Sequence, residues 1–252
     1  MRQFMAGLTF AVLSGVITGT LPGALVAQDA QGTQGTTTQS RPALVVVELF
    51  TSQGCSSCPP ADAMMAELAT RDDVLPLSLH VDYWDYIGWR DEFAQPQFTD
   101  RQKAYAHAAG KRTIYTPQMI VQGLDHLVGA KPMRLVDLVA HHHASPAAPV
   151  TLSVLRAGSA LTVTALPTGA LPPLMRLYLV RYIPYARVDI ERGENAGRVV
   201  DYTNVVTQWT SVADWDGTAP LSVILDVPGK DRTAVILQAA GPGPILSVAR
   251  AD

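Results

Sequence analysis

The chain has 252 residues, with 19 basic and 22 acidic side chains and a formal net charge of −3 at pH 7. The basic residues form no cluster along the sequence, so binding to nucleic acid or to an anionic membrane surface is not expected. Only two cysteines are present, Cys55 and Cys58.

Residues 1–27 have the pattern of a secretory signal peptide: Arg2 precedes an apolar run at residues 4–17, and small residues end the segment at Ala27. The apolar run is shorter than the roughly 20 residues that a transmembrane helix needs, and no similar run follows. We therefore expect an exported protein, periplasmic or secreted, without a membrane span. Residues 28–41 lack large apolar side chains, which predicts a flexible linker.

Residues 42–145 alternate between strand and helix patterns. The β-branched run at residues 44–50 is typical of a buried strand. The apolar residues at positions 61, 64, 65 and 68 share one face of a helix. A second strand, a second helix, a strand with a hairpin and a last helix are predicted at residues 74–81, 96–110, 116–130 and 133–143. This order predicts an α/β domain with a partly parallel sheet.

Residues 146–252 show a different pattern, in which short alternating strands are separated by Gly, Pro and Asn. No helix is predicted in this part. Its composition and spacing predict an all-β second domain, either a sandwich or a meander. The predicted strands are residues 150–156, 160–167, 174–183, 197–206, 221–227, 233–239 and 245–250.

Cys55 and Cys58 lie in the segment "FTSQGCSSCPPAD", between the first strand and the first helix. One interpretation is a structural disulfide, but closing a four-residue loop contributes only about 2 kcal/mol, against about 3 for a 15-residue loop. A second interpretation is a metal site, with copper preferred because thiolate pairs suit Cu(I). No second motif of suitable spacing supplies its remaining ligands, for which the candidates are His80, His107, His126 and residues 141–143.

Thiol-disulfide exchange is the third interpretation, and the position of the pair favours it. With a helix that begins near Ser57, the two cysteines lie one turn apart, within reach of a disulfide. Cys55 then lies just outside the helix N-terminus, where free N–H groups lower a thiol pKa below its usual value of about 8.5. Since Pro59 and Pro60 have no N–H, the amides of Ser57 and Cys58 are left to face the Cys55 sulfur. We expect Cys55 to attack and Cys58 to resolve, with protein thiols or disulfides as partners and no cofactor.

The motifs "VELFTSQGCSSCPPAD", "HVDYWDYIGW", "FTDRQKAYA", "YTPQMIVQG" and "RGENAGR" together resemble those of a family of exported bacterial proteins with a thioredoxin-like domain and no assigned function. The resemblance extends over nearly the whole chain after the leader. It implies a thioredoxin-like domain at residues 42–145, a β-sandwich-like domain at residues 146–252 and a redox role for the cysteine pair. Plain thioredoxins have no such appended β domain.

The resemblance to thioredoxin-like proteins also implies roles for three further residues. Pro117 is expected to form a cis-proline loop beside the cysteines, and Thr116 to offer backbone hydrogen bonds to a substrate chain. Glu48 resembles the buried acid of thioredoxins, and a carboxylate of raised pKa in this strand could take the proton of Cys58. The alternative for Glu48 is an exposed acid or one that is paired with an arginine.

Three other features have both a functional and a structural interpretation. Trp84 and Trp89, in "DYWDYIGW", are expected to line an apolar groove for substrate beside the cysteines or to plug the space between the two domains. His80 is expected to modulate the thiolate or to be structural. "RGENAGR" is predicted to be a hairpin loop, and Glu194 and Asn195 are its candidates to reach the redox site.

These observations favour an exported thiol-disulfide oxidoreductase in which Cys55 and Cys58 exchange a disulfide with a protein partner. Two alternatives remain open at this point. One is a protein that binds copper or another metal through the cysteines and a histidine. The other is a binding module that is locked by the disulfide and has no turnover.

Overall fold

The computed structural model describes residues 36–39 and 44–251. The helices of this part are α1 (Pro59–Ala69), α2 (Pro96–Ala108) and α3 (Pro132–Ala144), with a 3₁₀-helix at Asp85–Ile87. The strands are β1 (Thr36–Gln39), β2 (Val45–Thr51), β3 (Val74–His80), β4 (Gln118–Val121), β5 (Asp125–Val128), β6 (Val150–Ala157), β7 (Ala160–Pro167), β8 (Met175–Ile190), β9 (Arg198–Trp215), β10 (Leu221–Asp226), β11 (Arg232–Ala239) and β12 (Ile245–Arg250). The predicted signal peptide and most of the predicted linker lie outside the described residues.

The strands form two sheets. The larger sheet has eight strands in the order β12-β11-β8-β9-β3-β2-β4-β5, and the smaller has four in the order β1-β6-β7-β10. Within the larger sheet β2 runs parallel to β3, with α1 as the crossover between them, and antiparallel to β4. The described chain is therefore mostly β-sheet, and its large sheet is mixed.

Local sequence explains why α1 begins where it does and which side it buries. Pro59 and Pro60 occupy its first turn, where the missing N–H groups have no intrahelical acceptor to satisfy. Ala61, Met65 and Leu68 then form its buried face, as the helical spacing of the apolar residues predicted. The helix thus holds the residues just before it against the end of β2.

Strand β2 presents alternate side chains to different helices. Val47 and Leu49 pack in an apolar cluster with residues of α1 and α3, whereas Phe50 packs in another with residues of α2. Because successive residues of a strand point to opposite faces of the sheet, Thr51 lies on the α1 face and Glu48 on the α2 face. This alternation decides which polar groups can reach the cysteines.

The β-rich half of the chain continues the same large sheet. β9 lies beside β3 in parallel, with Ser78 opposite Val205. Ser78 Oγ donates to the carbonyl of Thr203 at 2.8 Å, and Asn204 Nδ2 donates to the carbonyl of Pro76 at 2.9 Å. The parts of the chain on either side of the domain boundary predicted at residues 145–146 therefore share one continuous sheet.

The smaller sheet packs against one end of the larger one. Leu152 of β6 and Val163 of β7 belong to an apolar cluster that includes Leu177 of β8, Val235 of β11 and Ala249 of β12. This two-layer packing corresponds to the sandwich that the alternating pattern predicted. The sandwich is built partly from strands that also extend the α/β sheet.

Each strand predicted after residue 146 has a counterpart among β6–β12, but β8 and β9 are longer than predicted. The predicted first strand of the two ends just before Pro184, which has no N–H to donate to a ladder. In the structure its neighbours Ile183 and Tyr185 still pair with Val205 and Thr203.

Part of the predicted linker also forms a strand, since Thr36–Gln39 pairs antiparallel with β6. Backbone pairing at a sheet edge needs no large apolar side chains, so composition did not reveal it. No helix in the described ranges is long and apolar enough to cross a membrane.

Candidate functional site

A disulfide joins Cys55 and Cys58 at the N-terminal end of α1. Their Cα atoms are 5.4 Å apart, in the range that a disulfide accepts. Cys58 is the N-cap residue of the helix, which begins at Pro59 and not near Ser57 as expected. The Cys58 amide donates to the Cys55 carbonyl at 3.2 Å, so in this form it does not serve the Cys55 sulfur as expected.

Both cysteines are covered. Cys55 is 1% exposed and Cys58 is 0% exposed, whereas Ser56 and Ser57 between them are exposed. The Ser57 hydroxyl lies 3.5 Å from the Cys55 sulfur. The two serines, and neither sulfur, therefore form the surface of the molecule at this point.

Two distant parts of the chain hold the loop before the disulfide. Asn195 Nδ2, in the turn between β8 and β9, donates to the carbonyls of Gln53 and Cys55, both at 2.9 Å. The Gln53 amide donates to Asp91 Oδ2 at 2.8 Å, and Gln53 Oε1 accepts from Trp89 Nε1 at 2.7 Å. Asn195 is thus the residue of "RGENAGR" that reaches the cysteine loop, while Glu194 is exposed.

Trp84 connects the cysteine loop to the loop at Thr116 and Pro117. Its Nε1 donates to Thr116 Oγ1 at 2.8 Å. Its Cβ lies so close to Gly54 that a Cβ added there would be 3.1 Å away. The Thr116–Pro117 peptide bond is cis. The sequence-predicted residues Cys55, Thr116 and Pro117 are in this way linked through one tryptophan.

The aromatic loop is packed between other parts of the site. Trp84 and Trp89 are only partly exposed, and Trp89 also lies against Gly193 of the β8–β9 turn. These contacts correspond to the plug predicted as the alternative to a substrate groove. Tyr86, 81% exposed, is the aromatic side chain of this loop that is available to a partner.

Beneath the disulfide lies a group of buried polar side chains on the α1 face: Asp62, Thr51, His80 and Asp91. Thr51 Oγ1 donates to Asp62 Oδ1 at 2.8 Å, and His80 Nδ1 lies 2.7 Å from Asp91 Oδ2. Thr51 and His80 are neighbours in the register of β2 and β3. Asp62 Oδ2 and His80 Nε2 are buried without a hydrogen-bond partner within the described residues.

Burial raises the pKa of Asp62 to about 7. The nearby His80 and the hydrogen bond from Thr51 act in the opposite direction, and Asp91 adds to the rise. Asp62 lies one helical turn after Cys58, whose carbonyl accepts the Asp62 amide at 3.1 Å. The site therefore has a buried carboxyl group one helical turn after Cys58, with a pKa raised to about 7.

Glu48 does not have the position that its predicted role requires. It lies on the α2 face, where Arg101 donates to Oε2 at 2.6 Å and to Oε1 at 2.9 Å. Tyr105 donates to Oε1 at 2.6 Å. Glu48 is therefore the arginine-paired acid that was the alternative interpretation, because strand alternation turns it away from α1.

Sequence reasoning missed Asp62 and Asp91, although a signal for Asp62 was present. Asp62 follows Cys58 by four residues, and positions i and i+4 lie on the same side of a helix. The apolar pattern of α1 drew attention to its other residues. Asp91 lies in an irregular segment, where no period relates a side chain to the sheet.

The histidines named as possible metal ligands lie in several different places. His126 contacts Gln118 at 3.1 Å, and His142 contacts Asp125 at 2.7 Å. His80 contacts Asp91, and His107 lies in α2. In residues 36–39 and 44–251, no three His, Cys, Asp or Glu side chains are grouped as a metal site.

Residues 46–238 match a protein family described as "Protein of unknown function (DUF1223)". The chain belongs to this family. The match confirms the predicted membership of a family without an assigned function. The range that matches DUF1223 contains the disulfide, Asp62, the Thr116–Pro117 loop and Asn195.

One solved structure is similar to this DUF1223 chain. It is the X-ray crystal structure of protein AGR_C_4864 from Agrobacterium tumefaciens, with 34% sequence identity and a TM-score of 0.69. The similarity covers 82% of this chain and 92% of the other. A search of curated proteins found no match.

Proposed function

We propose that this protein is an exported thiol-disulfide oxidoreductase that exchanges the Cys55–Cys58 disulfide with a protein partner. The observation that supports this most is the position of the disulfide at the start of α1, linked through Trp84 to Thr116. We also propose that β2 to α3 form a thioredoxin-like unit. The order of strand, helix, strand, helix, hairpin and helix supports that assignment.

The exchange needs no cofactor. A thiolate of the partner attacks the Cys55 sulfur, the Cys55–Cys58 bond breaks, and Cys58 leaves as a thiolate. A second thiolate of the partner then attacks the mixed disulfide and releases Cys55, so two electrons pass from the partner dithiol to this protein. In the reverse direction the Cys55 thiolate attacks a partner disulfide and Cys58 resolves it.

Cys55 is the sulfur that a partner meets, because it adjoins the exposed Ser56 and Ser57. Cys58 is fully buried at the N-cap of α1. The dipole of that helix stabilises a thiolate at this end. These positions support the assignment of attack to Cys55 and resolution to Cys58.

Asp62 takes the role that the sequence assigned to Glu48. A group with a pKa of about 7 is suited to general acid-base catalysis near neutral pH. Asp62 can give its proton to the Cys58 thiolate as the disulfide opens and take it back before Cys58 attacks a mixed disulfide. The buried oxygen without a partner, Oδ2, is free for this transfer.

The reduction potential of the cysteine pair tests the proposal. We expect a potential above about −300 mV, since structural disulfides lie below that value. Oxidised and reduced protein are each incubated in glutathione buffers until both give the same thiol count, which is measured by mass after alkylation, so that a slow reaction is not mistaken for a low potential. In parallel, the Cys55 thiolate of Cys58→Ser is expected to attack a disulfide-bonded peptide dimer, release one peptide as a thiol and retain the other in a mixed disulfide, whereas Cys55→Ser is expected to retain none.

One observation favours a second candidate, a binding module that the disulfide locks. Both cysteines are almost inaccessible to solvent, and reactive cysteines are ordinarily partly exposed. A potential below about −300 mV, together with no trapped mixed disulfide, would favour this candidate over exchange.

A further inference from the structure

A cavity of about 510 Å³ lies beside α2, on the side of the large sheet away from the cysteines. Arg101 of α2 lines it and binds Glu48, which β2 presents to the α2 face. The disulfide belongs to α1 on the opposite face. The volume is within the range of small-molecule sites. This cavity is therefore separate from the site of the proposed exchange.

The charged side chains that line the cavity are cationic or can become so. They are Arg101, Arg176 and His107, and no Asp or Glu lines it. Arg176 pairs with Asp214 at 2.7 Å, but Asp214 is half exposed and lies outside the lining. Since the buried Glu48 already pairs with Arg101, Arg176 is the cation of this lining that an anionic ligand would reach.

Part of the remaining wall of the cavity is aromatic. Trp209, Tyr178 and Phe98 line it, and the guanidinium carbon of Arg101 lies 3.8 Å from the centre of the Trp209 ring. Trp209 Nε1 is buried and has no hydrogen-bond partner within the described residues. An unsatisfied buried donor is costly, so a ligand acceptor that reached this N–H would stabilise the complex.

We propose that this cavity binds a small ligand with a planar apolar body and an acidic group, such as an aromatic carboxylate. The apolar body packs against the aromatic wall. The acidic group binds Arg176 at the rim, where charge-assisted hydrogen bonds are stronger than neutral ones. The proposal does not depend on the redox function.

Isothermal titration calorimetry tests the proposal with two ligands, 2-naphthoate and 2-naphthalenemethanol. We expect saturable binding of the carboxylate with a dissociation constant of about 1 mM or below. The alcohol, which has a similar ring and no charge, is expected to bind at least about tenfold more weakly. Equal affinities would overturn the proposal, as would no saturable binding of the carboxylate.

A pair of matched variants locates the binding. Arg176 and Arg187 both lie in β8, and each pairs with an aspartate of β9. Arg176→Gln is expected to weaken naphthoate binding about tenfold, while Arg187→Gln leaves it unchanged. Equal effects of the two substitutions would be evidence against the cavity.

Nuclear magnetic resonance gives an independent readout. The indole N–H signal of Trp209, assigned with Trp209→Phe, is expected to shift on addition of naphthoate. The signals of Trp84 and Trp89, which belong to the cysteine site, are expected to stay in place. A shift confined to those two tryptophans would place the ligand elsewhere and refute the assignment.

Discussion

A carboxyl group that is buried and keeps one oxygen without a hydrogen bond holds its proton more tightly than it does in water. Asp62 is in this situation, with a pKa raised to about 7 by burial and with Oδ2 unpaired within the described residues. Asp62 lies one helical turn after Cys58, and in the proposed exchange it passes that proton to the Cys58 thiolate. The same property makes the stability of the fold depend on pH.

We predict that the free energy of unfolding falls as the pH rises from about 4 to about 8. Over this range the folded protein keeps a proton on Asp62 that the unfolded chain, with a pKa near 3.8, has lost. The loss is on the order of 2–4 kcal/mol. Asp62→Asn is expected to remove most of this slope, as measured by urea unfolding at several pH values.

Asp100→Asn is a suitable control, because Asp100 is an exposed aspartate on a helix. Asp100→Asn is expected to leave the dependence of the free energy of unfolding on pH unchanged. If the free energies of unfolding of Asp62→Asn and of the native chain fall equally as the pH rises, the pKa of Asp62 is not raised in the folded protein.

At the scale of single elements, β2 separates two groups of polar contacts whose residues lie only three positions apart in the sequence. Thr51 turns toward α1 and the disulfide, and Glu48 turns toward α2 and Arg101. The buried pair of Glu48 and Arg101 is a structural interaction with Tyr105 and Gln238. Removing one member of such a pair leaves the other charge buried and unpaired.

We predict that Glu48→Gln destabilises the fold by about 3–5 kcal/mol and leaves the chemistry of the cysteines unchanged. The rate at which Cys58 resolves a mixed disulfide, measured by stopped flow, is expected to equal that of the native protein. Asp62→Asn is expected to slow the same step about 100-fold or more. If Glu48→Gln slows the resolving step and Asp62→Asn does not, the acid-base group is Glu48 and not Asp62.

The period of the apolar residues was enough to place the helices and most strands of this fold. It located α1 through positions 61, 64, 65 and 68, and β2 through its continuous apolar run. It did not show that Glu48 is paired with Arg101, since that contact joins residues 53 positions apart. It also could not show that β9 pairs with β3, because that pairing depends on polar groups such as Ser78 and Asn204.

At the scale of the whole molecule, the β-rich half contributes to the disulfide site. Asn195 comes from the turn between β8 and β9 and binds two carbonyls of the loop that carries Cys55. It is buried, and this contact spans 140 positions of the chain. The two halves of the chain thus contact each other at the cysteine loop as well as in the shared sheet.

We predict that Asn195→Ala loosens the cysteine loop and costs about 1–3 kcal/mol of stability, because two buried carbonyls lose their donor. Hydrogen exchange at the amides of residues 53–58 is expected to become faster. Glu194→Ala, in the same turn but exposed, is the matched control and should change neither quantity. Equal protection in all three proteins would mean that Asn195 does not hold the loop.

The near-complete burial of the disulfide also bears on which reductants this protein accepts. Exchange rates depend on access to the sulfur as well as on the pKa of the attacking thiol. We expect free glutathione to react slowly with this disulfide whatever its potential, and a folded partner that displaces the loop around Tyr86 to react quickly. Because access to the sulfurs is restricted, the proposed exchange would then discriminate among electron donors by their shape. Small thiols in the same compartment would react with the disulfide only slowly.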